Sequence, residues 1–493
     1  MKDNAFSERL KEAMEQRGLK QVDLLRLVAS QGGRLGKSQL SQYVSGKTIP
    51  RADMLATLAQ ALDVREGWLL GGGGDEVQRG EFNTREVPTM RKFNKSSKLD
   101  NVSYDVRGPA LDEAMRMEED GIHILKLNIG NPAPFGFRTP DEVVQDMASQ
   151  LRDTEGYSDS RGLFSARKAI MQYDQLKGIP NVGMNDIYTG NGVSELINLV
   201  MQAMVETGDE ILVPSPDYPL WTACVTLAGG TAVHYLCDEQ ADWLPDIDDI
   251  RSKVTTNTKA IVIINPNNPT GALYPRAVLE EIVRIAREHQ LIILSDEIYD
   301  RLVMDGEEHV SIASLAPDLF CITLNGLSKS HMIAGWRIGW MSISGNKRLG
   351  RDLMEGINMM SNMRLCSNVP AQSIVQTALG GYQSVKNYVV PTGRVCKQRD
   401  FVYERLCAID GVSVVKPKAA FYIFPRLDPE KFHVTDDEQF QLDLLQDKKV
   451  LIVPGKGFNW STPGYFRIVY LPRRAVLGEA LDKLESFLAY YRQ

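Results

Sequence analysis

Lys329 closes the stretch Thr323-Leu324-Asn325-Gly326-Leu327-Ser328-Lys329, where a short apolar run gives way to small polar residues. A lysine in such a loop at the end of a strand is partly desolvated, which frees its amine lone pair for a Schiff base with an aldehyde. Taken alone, a Ser-Lys pair reads as a solvated surface lysine, because lysines are mostly exposed. The weight therefore falls on what surrounds it. Apolar runs of buried-strand type occupy 211–213, 260–264, 291–294 and 321–324, and in open parallel sheets ligands gather beyond the carboxyl ends of the strands. Beyond those ends stand Asp217-Tyr218-Pro219, Asn265-Pro266-Asn267-Asn268-Pro269-Thr270-Gly271, Ser295-Asp296-Glu297-Ile298-Tyr299 and Ser328-Lys329. A carboxylate, a phenol, an amide and a lysine thus meet at adjacent strand ends.

Pyridoxal phosphate catalysis needs that group. A lysine holds the aldehyde, a carboxylate keeps the pyridine nitrogen protonated so that the ring accepts electrons, and a phenol and an amide hydrogen-bond the ring oxygen. Each unit of pKa shift that the carboxylate imposes corresponds to about 1.4 kcal/mol of preferential stabilisation. Asn268 is placed to point into the crevice and Tyr218 to lay its ring on the cofactor face. A phosphate cradle lies in Thr189-Gly190-Asn191-Gly192-Val193-Ser194-Glu195, which precedes a helical pattern of Leu196, Leu199, Val200 and Ala203. Backbone amides near Val193 and Ser194 then point at an anion on the helix N-terminus. Arg337, eight positions after Lys329, adds a fixed guanidinium fork for the same anion. A glycine pair before a helix is more often a tight turn, so the cradle takes its meaning from the residues around it.

These residues need a scaffold of alternating strands and helices, which predicts an α/β domain with a mostly parallel sheet. Between the second and third runs, 277–289 carries Val278, Leu279, Ile282, Val283 and Ile285 at helical spacing. Upstream the pattern differs. Phe6, Leu10, Ala13 and Met14, then Val22, Leu25 and Val28, then Leu55, Leu58, Ala59 and Leu62 recur as short helices, predicting a small all-α bundle over 1–70. Gly71-Gly72-Gly73-Gly74 and the charged stretch after it predict a flexible linker over 71–97. In Leu35-Gly36-Lys37-Ser38-Gln39-Leu40-Ser41-Gln42-Tyr43-Val44-Ser45-Gly46-Lys47, Leu40 and Val44 face inward. Lys37, Ser38, Gln39, Ser41, Gln42 and Lys47 face out, where they suit phosphates and base edges. A polar face used only for oligomerisation is the plainer reading.

With 493 residues, 43% hydrophobic and 24% charged, the chain is long enough for two or three domains. Its net charge of −7 argues against nucleic-acid or membrane-surface binding by the whole chain. The imbalance is local: over 1–74, eleven Lys and Arg against eight Asp and Glu give +3 and leave −10 for the rest. Six scattered cysteines without Cys-x-x-Cys read as reduced thiols of a cytoplasmic protein. The polar N-terminus and the absence of a long apolar run argue against secretion and membrane insertion. Six histidines without metal-ligand spacing give no support for a metal site.

On these residues, 98–493 resembles the class I aminotransferases of fold type I, and most closely the bacterial glutamate-pyruvate (alanine) aminotransferases. The likeness is carried by Leu127-Asn128-Ile129-Gly130-Asn131-Pro132, Gly156-Tyr157-Ser158, Pro216-Asp217-Tyr218-Pro219-Leu220-Trp221 and the strand-end motifs above. It implies a large cofactor domain over 141–390 with a mostly parallel sheet, a smaller α+β domain over 391–493 and an N-terminal arm over 98–140. It implies pyridoxal 5'-phosphate held by Lys329, Asp296, Tyr299, Asn268, Tyr218, Val193, Ser194, Ser328 and Arg337, joined by Tyr157 from the second subunit of a homodimer. Lys329 would move the α-proton. Arg467 would clamp the substrate α-carboxylate, with Gly130 and Asn268 completing the pocket and Arg107 closing over it. Arg107, Arg138 and Arg161 all stand open as readers of a distal carboxylate. The sequence departs from close relatives at His331-Met332, where an aromatic-basic pair is usual.

Residues 6–70 resemble the Cro/repressor-type (XRE) helix-turn-helix family through Lys20-Gln21-Val22-Asp23-Leu24, Ser38 to Tyr43 and Ser45-Gly46-Lys47-Thr48-Ile49-Pro50. This implies operator binding as a dimer with the second motif helix in the major groove. The glycine-rich Ser30-Gln31-Gly32-Gly33-Arg34-Leu35-Gly36 makes the turn longer than the family's usual one. The expected activity is transamination between alanine and 2-oxoglutarate by a ping-pong mechanism, possible coupling to DNA included. The alternative is a transcriptional regulator whose aminotransferase-like domain senses pyridoxal phosphate or an amino acid.

Overall fold

The computed structural model describes residues 3–72, 93–100, 102 and 109–493. The chain divides into two compact units, 1–95 and 96–493.

The first unit holds five helices: α1 (Asp3–Gln16), α2 (Gln21–Ser30), α3 (Lys37–Val44), α4 (Ala52–Leu62) and α5 (Glu66–Leu69). Their apolar faces close on one core of Phe6, Leu10, Leu24, Val28, Leu40, Leu58, Leu62 and Trp68. Leu24, not Val22, is the first inward residue of α2, and Val22 is exposed. Adjacent leucines at 24 and 25 allow two helical phases, and burying Leu24 with Val28 aligns α2 with α4. Lys37, Ser38, Gln39, Ser41, Gln42 and Lys47 are exposed. Tyr43 turns inward instead, meeting Phe6 edge-on with ring centres 6.3 Å apart, and Gln39 donates to its hydroxyl at 2.9 Å. The long turn has a steric origin. A Cβ at Gly33 would come within 2.8 Å of Val28 Cγ1 and 2.9 Å of Thr57 Cγ2, so only glycine lets this turn fold down onto α2 and α4.

In the second unit β1 (Leu125–Lys126) precedes a large sheet of eight strands: β2 (Ile187–Gly190), β3 (Glu210–Ser215), β4 (Thr231–Asp238), β5 (Leu244–Pro245), β6 (Thr258–Ile264), β7 (Ile292–Asp296), β8 (Phe320–Gly326) and β9 (Gly339–Gly345). Their order is β2-β9-β8-β7-β6-β3-β4-β5. The centre is parallel, and β9 and β5 run against their neighbours. Along β6, Ile261 and Ile263 point into one core while Ala260, Val262 and Ile264 point into another. A strand covered on both faces must be apolar throughout, which is why the sequence shows runs and not alternation. The helix Arg276–Glu288 covers one face through Leu279, Ile282, Val283 and Ile285. Val193–Met204 and Leu220–Ala228 cover the other.

The C-terminal part adds β10 (Val412–Ser413), β11 (Tyr422–Ile423), β12 (Arg426–Leu427), β13 (Val450–Leu451), β14 (Val453–Pro454) and β15 (Phe466–Val469). The order β11-β15-β14 forms a small antiparallel sheet. Helices Arg394–Cys407, Asp437–Lys448 and Arg474–Leu488 pack on it around Phe421, Phe440, Phe466 and Phe487. Leu125, Leu127 and Phe137 join the same core, and β1 pairs with β13. All six cysteines are unpaired, and four are buried. No helix among the described residues is long and apolar enough to cross a membrane.

Candidate active site

Beyond the carboxyl ends of β6, β7 and β8 lies a cavity of 290 Å³. Its walls contain Gly130, Val193, Ser194, Tyr218, Asn268, Asp296, Tyr299, Ser328, Lys329, Arg337 and Arg467, so eleven residues expected at one site share one cavity. Tyr157 does not line it and is 84% exposed. Arg138 is spent on the carbonyls of Ala133 and Phe137 at 2.8 and 3.3 Å. Arg161 lies over the Tyr188 ring, 5.6 Å from its centre. Neither lines the cavity, and Arg107 falls outside the described residues.

Asp296 ends β7 and is buried. Its carboxylate accepts from Trp221 Nε1 at 3.3 Å and from the Ile298 amide at 3.2 Å. Both donors are neutral, and burial pushes its pKa up to about 6. Such a carboxylate gains most from a cationic N–H brought by a ligand. Tyr299 is buried three residues on, its hydroxyl 2.7 Å from that of Tyr422. Burial raises its pKa well above the usual phenol value. Lys329 Nζ donates to the Gly130 carbonyl at 2.6 Å.

One end of the cavity is built from a turn, a helix start and an arginine. Gly192 has φ +82°, and a Cβ there would collide with the Arg337 guanidinium. Arg337, itself left-handed at φ +57°, donates to Asn191 O at 3.1 Å and Ala334 O at 2.8 Å. Asn191 is fixed by Glu195, whose carboxylate takes its amide at 2.7 Å and also meets Arg364 at 2.7 Å. A Cβ at Gly339 would stand 2.7 Å from the Val193 nitrogen. Two glycines therefore keep the start of Val193–Met204 open to an anion and within reach of Arg337.

At the other end, Arg467 of β15 is buried, donating to Asn268 Oδ1 at 2.8 Å and to the Asn128 carbonyl. Its guanidinium lies between the rings of Tyr422 and Phe458, 4.4 and 4.6 Å from their centres. Tyr422, Phe458 and Trp221 carry no role that their local sequence reveals. Trp221 lay within a motif, but its partner is 75 residues away. The pairing of β11 with β15 puts Tyr422 beside Arg467.

A trio of Glu297, Asp300 and His309 brings ligand-type atoms within 4.8 Å of one another. A cation of the chain already serves them: Lys177 Nζ contacts Glu297 and lies 2.7 Å from Asp300 Oδ2.

The cavity thus offers an amine, a desolvated carboxylate, a phenol, an anion cradle and an opposed guanidinium, which fits pyridoxal 5'-phosphate together with an amino acid. Residues 122–484 match the family described as aminotransferase class I and II, and the chain belongs to that pyridoxal-phosphate-dependent family of fold type I enzymes. Residues 10–69 match a helix-turn-helix family. The chain is 58% identical over 404 residues to the glutamate-pyruvate aminotransferase AlaA of Haemophilus influenzae, covering 82% of this chain and 100% of that one. It is 52% identical to an alanine aminotransferase of Mycobacterium tuberculosis, covering 84% and 96%. A crystal structure of an aminotransferase from Escherichia coli is similar with TM-score 0.81 at 56% identity, covering 82% of this chain and 100% of that one.

Proposed function

We propose that the protein is a glutamate-pyruvate (alanine) transaminase working by a ping-pong mechanism. The observation that carries this reading is the pairing of two anchors in one cavity: Lys329 with Asp296 at the cofactor end, and Arg467 with Asn268 at the carboxylate end. Identity of 52–58% to enzymes named for alanine or glutamate-pyruvate supports the substrate pair.

Bound pyridoxal phosphate supplies the electron sink and carries the amino group between the two half-reactions. Everything else is done by the chain. Val193, Ser194, Ser328 and Arg337 hold the phosphate, Asp296 keeps a proton on the ring nitrogen, Tyr299 and Asn268 contact the ring oxygen, and Tyr218 stacks. Arg467 binds the substrate α-carboxylate bidentately, with Gly130 beside it. That anchor fixes the Cα–H bond near Lys329, whose Nζ takes the proton and returns it at the next step. The exposure of Tyr157 supports its serving the second subunit of a homodimer.

For the first unit, we infer binding to operator DNA. The exposure of Lys37, Ser38, Gln39, Ser41, Gln42 and Lys47 along and just beyond one helix supports it. Affinity for DNA upstream of the coding region should fall steeply with salt, and Lys37→Ala should reduce the logarithmic salt slope by about 1. Salt-insensitive behaviour would leave these helices as a tether.

The enzyme reading is tested by adding alanine to purified holoenzyme. The visible absorption band should bleach, return when 2-oxoglutarate is supplied, and yield pyruvate and glutamate continuously. Lys329→Ala should abolish both signals. Bleaching without turnover would overturn the enzyme reading in favour of an amino-acid sensor.

A further inference from the structure

We propose that Tyr422 is a positioning residue that acts through Tyr299: its hydroxyl donates to Tyr299 Oη and commits the Tyr299 proton to the ring oxygen of the bound cofactor. The inference rests on the reading that Tyr299 contacts that oxygen.

Two buried hydroxyls 2.7 Å apart share one hydrogen bond, and either atom is able to donate. The surroundings decide the direction. The Tyr422 hydroxyl is pressed against Gly130 so closely that a Cβ there would overlap it, with 2.8 and 2.9 Å to the ring atoms Cζ and Cε1. Arg467 stands over the Tyr422 ring at 4.4 Å, and a cation on the ring face makes that phenol the better donor. Tyr299 meets Tyr422 edge-on, with ring centres 5.6 Å apart and planes at 84°. With Tyr422 donating, Tyr299 Oη is filled as acceptor and its own proton points into the cavity. No covalent bond to hydrogen breaks; both protons stay on their oxygens. The charged groups around the pair are Arg467 from β15, Asp296 from the same turn as Tyr299, and Lys329, which donates to the Gly130 carbonyl.

A chain of two hydroxyls is a stronger donor than one, because each bond polarises the next. A stronger donor leaves the ring oxygen less basic, so the proton shared on the Lys329 side is released at lower pH. Tyr422→Phe keeps the ring that packs on Arg467 and Tyr299 and removes only the hydroxyl.

The experiment is a pH titration of the visible band of the holoenzyme, with no substrate present. Tyr299→Phe and Tyr422→Phe should each move the midpoint to higher pH, the second by about 0.5–1 pH unit. The double variant should move it no further than Tyr299→Phe alone. 3-Fluorotyrosine at position 422, a stronger donor of almost the same size, should move the midpoint to lower pH and keeps the test open should Tyr422→Phe fold poorly. A shift for Tyr299→Phe with none for either change at 422 overturns the relay and leaves the Tyr299 reading intact. Additive shifts overturn it too, because Tyr422 would then act independently. No shift in any variant means that Tyr299 does not face the ring oxygen, and the underlying reading falls with the relay.

Discussion

Asp296 and Asp300 stand four residues apart on one turn, both buried, and their surroundings drive them in opposite directions. Asp300 has a cation of the chain beside it: Lys177 at 2.7 Å, with Asn325 and Tyr173 donating to the same oxygen. Burial works to raise its carboxyl, but Lys177, His309 and Arg301 together hold it well below the usual range. Among the described residues Asp296 has Trp221 and an amide as donors, and burial pushes it up to about 6. The difference separates support from function. The Lys177–Glu297–Asp300 cluster is satisfied within the chain and clamps the turn, with Ser295 and Ser311 closing on Glu297 at 2.9 and 2.7 Å. Asp296 faces the cavity and gains most from a cation that arrives with the ligand.

The largest expected effect tests the functional side. Asp296→Asn keeps the shape and removes the charge, so it should lower alanine turnover by about 10³-fold or more while leaving the melting temperature near that of the parent. A drop under tenfold would break the comparison. On the structural side, Lys177→Met leaves Glu297 and Asp300 buried without their cation and should destabilise the protein by about 3–5 kcal/mol. Denaturant unfolding measures this, and the correctly folded fraction should keep most of its turnover per cofactor bound. Loss of turnover without loss of stability would mean that the cluster belongs to the chemistry.

The pH dependence of apoenzyme stability separates the two acids further. The folded pKa of Asp296 lies above its unfolded value, so protonation favours the folded state. Its contribution is present below about pH 4 and is lost as pH rises to about 6, a change of about 3 kcal/mol. The folded pKa of Asp300 lies below its unfolded value, so its contribution is present above about pH 4 and is lost as pH falls through the folded value. Urea unfolding from pH 4 to 7 should show a declining contribution that Asp296→Asn removes, and a profile unchanged by that substitution would rule it out.

Much of this was legible in the sequence because the cofactor end is built locally. Lys329, Asp296, Tyr299 and Asn268 each follow directly from an apolar run, and a parallel sheet brings such ends together without further information. Arg467 was reachable only through the family resemblance, since an arginine in a short strand says nothing of what lies opposite. Tyr422 and the Lys177 cluster were not legible, because their roles depend on contacts between positions over a hundred residues apart, such as Tyr422 with Tyr299 and Lys177 with Glu297. In the first unit the periodicity found the helices, and on α2 Val28 lies in the core with Leu25 packed against it, while Val22 is exposed and packing selects Leu24 in its place.

The smallest effect sharpens the comparison most finely, because it alters one neutral donor. At 3.3 Å the Trp221 bond to Asp296 is long, so it contributes at the low end of a neutral hydrogen bond, about 0.5–1 kcal/mol. Trp221→Phe removes the N–H and keeps most of the ring within the core around Leu196 and Val225. The carboxylate then loses a donor that favours its charged form, and its pKa should rise further, by about half a unit. In the apoenzyme titration the decline attributed to Asp296 should move to higher pH by that amount. On the proposed function the cofactor's ring nitrogen would be the main partner of the carboxylate in the holoenzyme, and turnover should fall only a few-fold. A large loss of turnover with no movement of the titration would show that Trp221 shapes the cavity wall and does not tune the carboxylate, and Asp296 would then owe its readiness for a cationic ligand to burial alone.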